Sequence, residues 1–75
     1  MIVNLEGKIP VLSPHVFLAP TATVIGDVTI GEHTSIWYGC ILRGDVHSMR
    51  IGSRCNIQDG TIMHGMYQKW NVVVE

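Results

Sequence analysis

At 75 residues the chain is one small domain at most, a size that buries only about 60% of its surface and gains from association. Five basic and six acidic residues, spread thinly, leave a net charge of −1, with no basic stripe to neutralise phosphates, so nucleic acid is not expected as a partner. Apolar residues make up 47% of the chain and charged ones 15%, a balance that keeps surface for assembly with other copies; no apolar run reaches the 18 residues that a membrane span needs.

In chain order, residues 2–5 and 9–12 read as two short strands joined by a turn at Gly7, leading through Ser13-Pro14 into the body. Residues 1–17 are taken as capping strands over a repeat domain at 18–75. Glu6 and Lys8 interrupt the start before a signal-type apolar region can develop, so a cytoplasmic protein is expected.

From Leu18 an aliphatic residue returns every six positions, at Val24, Ile30, Ile36 and Leu42, and again at Ile51, Ile57 and Met63. Small or compact residues, Ala22, Val28, Thr34, Cys40, Cys55 and Thr61, keep the same beat four positions later. A helix repeats near 3.6 and an amphipathic strand at two, so neither produces a period of six. A solenoid does. The expected fold is all-β: a parallel β-helix of about three coils in which each hexad makes one side of a triangular prism and inward aliphatics stack at strand spacing.

That register predicts the columns Leu18/Ile36/Ile57, Val24/Leu42/Met63 and Ile30/Ile51, the last continuing to Val73. Leu42 to Ile51 and Met63 to Val73 exceed six positions, so two loops leave the same edge, one above the other. Arg43 and His64 then occupy equivalent places on successive coils, with Asp45 and His47 in the upper loop. Gln58 and Asp59 lie one side earlier, below Trp37 and Tyr38. Cys40 and Cys55 fall at small inward positions on different sides and are expected to be buried free thiols. Trp37, Tyr67 and Trp70 are assigned to an interface or to loop packing, and residues 72–74 to a core strand left without a cap.

The runs Ile36-Trp-Tyr-Gly-Cys-Ile-Leu-Arg-Gly-Asp45, Arg50-Ile-Gly52 and Asn56-Ile-Gln-Asp-Gly60, followed by His64, closely resemble the gamma-class carbonic anhydrase family. The resemblance runs from about Leu12 to His64. It implies a left-handed β-helix assembled as a homotrimer, with zinc held between subunits by three histidines. His64 matches the first of these ligands. Arg43 and Asp45 match residues that form ion pairs across the interface, Gln58 the residue that orients the water on the metal, and Asp59 a structural acid beside them. The family's other two histidines belong to the next coil, so a C-terminally truncated, inactive or impaired form is expected. His15, in the entry segment, His33 and His47 do not match them, and His33 and His47 are read as solvated surface.

Three functions compete at this point. The first is zinc-dependent reversible hydration of carbon dioxide to bicarbonate. The second is a coenzyme A-dependent acyltransferase, a chemistry that other hexapeptide-repeat families carry, although the Arg-Gly-Asp and Asn-Ile-Gln-Asp-Gly runs point away from it. The third is a non-catalytic oligomerisation module, assembling as a trimer or as larger, end-to-end stacked trimers.

Overall fold

Through residue 64, strands of the body find their partners 18 or 21 residues along the chain, three hexads per turn with or without three added residues, and residues 72–74 pair at a spacing of 23. In the computed structural model, which describes residues 1–64 and 72–74, β3 (Phe17–Leu18), β5 (Ser35–Ile36) and β7 (Asn56–Ile57) form one sheet. A second sheet contains β1 (Ile2–Val3), β2 (Val11–Leu12), β4 (Thr23–Ile30), β6 (Ile41–Ile51), β8 (Ile62–His64) and β9 (Val72–Val74). Every strand pairing is parallel. The described residues contain no helix, and hence none long and apolar enough to cross a membrane.

The predicted columns stand. Leu18 pairs with Ile36 and Ile36 with Ile57; Val24 pairs with Leu42 and Leu42 with Met63; Ile30 pairs with Ile51. The third column ends on Val74 rather than the expected Val73, which pairs with Arg50 instead. Three consecutive valines offer no contrast in size or polarity to fix the register, and a one-residue slip exchanges the faces of the strand.

Two positions in every hexad point inward, the column residue and the one two places before it. Ala22 and Val24, Val28 and Ile30, Thr34 and Ile36, Cys40 and Leu42, Met49 and Ile51, and Cys55 and Ile57 are all buried, whereas their neighbours face outward in whole or in part. Local alternation of period two thus runs inside a period of six, and branched aliphatics fill a pleated, buried wall well. Each such side chain contributes roughly 1.5–3 kcal/mol on burial. Thr34 is the polar exception. It is 1% exposed, its hydroxyl donates to the Gly52 carbonyl at 2.6 Å and accepts the Cys55 N–H at 3.2 Å, so it joins two coils without leaving a buried polar group unpaired.

β1 and β2 cover the top as strands of the same sheet. Ile2 pairs with Val24 and Leu12 with Ile30, so both continue columns upward, and a turn closed by the Leu5–Lys8 bridge joins them. The predicted loop after Leu42 is also strand-like. β6 keeps extended backbone throughout, and its register against β4 shifts between Gly26 and Val28, so residues 45–48 oppose Asp27 alone. The extra residues form a bulge at the edge, after which Met49 pairs with Val28 and re-enters the core.

Candidate functional site

The bulged edge depends on a backbone-to-backbone contact. Where β6 turns outward, Gly44 lies so close to β4 that a Cβ on it would collide with the Asp27 carbonyl, and one on Gly26 would collide with the Gly44 carbonyl. Only hydrogen fits between the chains, which explains the glycine in the Arg-Gly-Asp run. Residues 43 and 45 share a strand face, and the Arg43 Nε lies 3.2 Å from Asp45 Oδ2. The pair is half-exposed on the arginine side, so it orients both groups while adding little to stability.

His64, the last residue of β8, is the register partner of Arg43. Vertical adjacency of these two was the central expectation from the repeat, and the ladder provides it. β8 and β9 both pair with β6, with Arg43 registered against His64 and Met49 against Val72; the second predicted loop, between them, lies outside the described residues. Gln58 and Asp59 follow β7 on the preceding side, both exposed. They are registered under Trp37 and Tyr38: the Trp37 N–H donates to the Ile57 carbonyl and the Gly60 N–H to the Tyr38 carbonyl. Gln58 and His64 are six positions apart on adjacent sides, separated by the corner at Gly60. The side chain of His47, together with Tyr67 and Trp70, lies outside the described residues.

Contacts that the sequence did not reveal hold this corner. The Gln58 carbonyl accepts from the Cys40 thiol at 2.9 Å, the Thr61 hydroxyl at 2.8 Å and the Thr61 N–H at 3.3 Å. Three donors on one oxygen pin the turn from which Gln58 and Asp59 project. The only sequence signal is a threonine three residues after Gln58, a common local turn device. On the same side, the Trp37 Nε1–H donates to Asn56 Oδ1 at 2.6 Å and Phe17 packs on the same indole, with ring centroids 5.0 Å apart. An open cleft of about 270 Å³ lies beside Asp45, lined by Leu5, Glu6 and Lys8 of the N-terminal turn together with Gly44. No pattern in the sequence links those segments.

Cys40 and Cys55 are both buried, as their places in the repeat require. Among the described residues no three His, Cys, Asp or Glu side chains come together to hold a metal.

Comparison with known proteins gives this edge a lineage. The chain is 54% identical over 63 residues to gamma carbonic anhydrase 2, mitochondrial, of Arabidopsis thaliana, a match covering 84% of the chain. It is 48% identical over 64 residues to a carbonic anhydrase of Geobacillus kaustophilus, covering 85% of the chain. Over this stretch the chain closely resembles gamma carbonic anhydrases. It spans 23% of the Arabidopsis relative and 35% of the Geobacillus one. No protein-family model matches it.

Among solved structures, a Bacillus cereus protein provisionally named an acetyltransferase superposes with a TM-score of 0.92 at 36% identity, covering 97% of this chain and 42% of that one. A hexapeptide transferase family protein from Anaplasma phagocytophilum superposes at 0.68 with 32% identity, covering 84% of this chain and 49% of that one. Both support the hexapeptide-repeat β-helix architecture. The gamma carbonic anhydrase relationship thus rests on sequence, and the fold on sequence and superposition together.

Proposed function

We propose that this chain forms the upper coils of a left-handed, trimeric β-helix and supplies one subunit's share of a carbon dioxide-hydrating site built between subunits. The observation that carries the reading is the vertical placement of His64 under Arg43, with Arg43 tied to Asp45, at the edge where β6 bulges. In this assignment His64 is a zinc ligand, Arg43 and Asp45 fix the subunit boundary, Gln58 orients water, and Asp59 supports the turn. A planar guanidinium already oriented by one carboxylate suits a boundary where charges must meet in register.

The residues present do not complete a metal site. Catalytic zinc takes about three protein ligands and keeps one open position, whereas the described residues gather no group of three His, Cys, Asp or Glu around His64. No catalytic step is therefore assigned to the chain by itself. Its contribution is the rigid edge that presents His64, Gln58 and the Arg43–Asp45 pair.

The second reading is acyl transfer with coenzyme A; of the superposed structures, the Bacillus cereus protein is named for acetyl transfer and the Anaplasma protein for the hexapeptide transferase family. One experiment separates the two. In the protein that contains this stretch, zinc content and carbon dioxide hydration should fall together on His64→Ala, while Gln58→Ala lowers hydration and leaves zinc bound. Zinc content unchanged in H64A would refute the metal assignment, and micromolar coenzyme A binding would support the transferase reading instead.

A further inference from the structure

Away from the bulged edge, one corner of the β-helix stacks three nitrogen-bearing side chains that the proposed site does not use. Phe17 pairs with Ser35 and Ser35 with Asn56, which sets His15, His33 and Arg54 one above another. All three have left-handed backbone, with φ of 63°, 61° and 57°. Asparagine, aspartate and glycine meet that backbone demand as readily as histidine, so the demand alone does not select imidazole twice in one column. The two rings are nearly parallel, 11° apart, with centroids separated by 5.0 Å, and both residues are exposed. The separation is close to strand spacing, so the coil-to-coil ladder fixes it rather than any bond between the rings.

We infer that His15 and His33 form a surface site for a late first-row divalent cation such as Ni²⁺ or Cu²⁺, bridging two successive coils. Imidazole suits these metals, and a metal–nitrogen bond of about 2.0–2.1 Å needs the two ring nitrogens roughly 3–4 Å apart. Exposed rings reach that spacing by tilting toward one another, without backbone movement. Water fills the remaining positions, so the site is an exchangeable surface one and not a buried structural centre. Arg54, next below His33, places a fixed cation on one side. The metal therefore sits between the histidines, and Arg54 weakens it. Residues 15 and 33 belong to different coils, so the bound ion clamps the entry segment onto the body and stabilises the folded state by mass action. This site lies at a different place from His64 and does not depend on the proposed function.

The test is calorimetric titration of the protein with NiCl₂, alongside thermal melts with and without the metal. Asparagine keeps the left-handed backbone, so His15→Asn and His33→Asn remove the imidazoles without disturbing the corner. The wild type should bind one Ni²⁺ through this corner and melt at a higher temperature with it. Each asparagine variant should weaken that binding about tenfold or more and abolish the metal-induced rise in Tm. Arg54→Gln should bind as tightly as wild type or tighter, and His64→Ala should leave the corner site unchanged. Nickel binding indifferent to H15N and H33N, or lost in H64A, would overturn the inference. So would an R54Q variant that loses nickel binding, or a corner that takes up inorganic phosphate and not the metal.

Discussion

Gly44→Ala offers a stringent test of the packing at the bulged edge. Gly44 does not lie in the left-handed region, so an alanine there meets no backbone penalty; the whole effect comes from a Cβ driven into the Asp27 carbonyl. Overpacking of a close-packed interior costs about 1–3 kcal/mol, and the upper end applies because the obstructing atom is backbone and cannot rotate away. In a domain of this size each kcal/mol lowers Tm by roughly 4–8 °C, so a loss of about 3 kcal/mol should appear as a fall of roughly 12–24 °C. Gly60→Ala is the internal control: its φ is 75° and nothing lies within 4 Å of an added Cβ, so only the conformational penalty of about 1–2 kcal/mol applies. Thermal and urea melts followed by circular dichroism at one fixed protein concentration measure both, because assembly makes Tm concentration-dependent. A G44A variant within about 0.5 kcal/mol of wild type would mean that β4 and β6 are not pressed together at Asp27. The explanation given for the Arg-Gly-Asp run would then fail.

Two further outcomes follow from the core. Thr34→Val keeps the shape but strands the Gly52 carbonyl and the Cys55 N–H that the hydroxyl joins; it should cost about 1–3 kcal/mol in urea denaturation and speed amide exchange at Cys55, and a neutral result would show that water replaces the hydroxyl. Both thiols are buried, so a thiol reagent should label neither Cys40 nor Cys55 in the native state, and labelling should track unfolding in urea; reaction at the rate of a free thiol would place that cysteine on the surface.

The six-residue beat made most of the fold legible, because each inward aliphatic must stack on another and only one spacing permits that. From it follow the columns, the insertion after Leu42, the burial of Cys40 and Cys55, and the meeting of Arg43 with His64. Met49 was missed. It fills the place across from Val28, but counting forward from Leu42 puts residue 46 there, and an insertion destroys forward counting. Counting two positions back from each column residue survives the insertion and finds Met49, as it finds Ala22, Thr34 and Cys55. Leu12 shows the same limitation from the other end. It sits six positions before Leu18 and continues the Ile30 column upward, yet beginning the count at Leu18 left it in a separate cap. The clamp on the Gln58 carbonyl, the stacked rings of His15 and His33, and the cleft between the N-terminal turn and Asp45 depend on side-chain directions or on segments far apart in sequence. Periodicity carries no information about either.

Along the edge that carries Arg43 and His64, consecutive column residues are 10 positions apart in the top layer, then 6, 9 and 11 in the layers below. Each excursion returns to the same vertical line, so the layers above and below do not register how much chain was added between. Lengthening a closed segment is thermodynamically mild, about 0.6 kcal/mol for each doubling. One flank of this molecule can therefore diverge freely in length and composition while the hydrophobic stack behind it stays unchanged, and it is the flank where the residues assigned to chemistry are found.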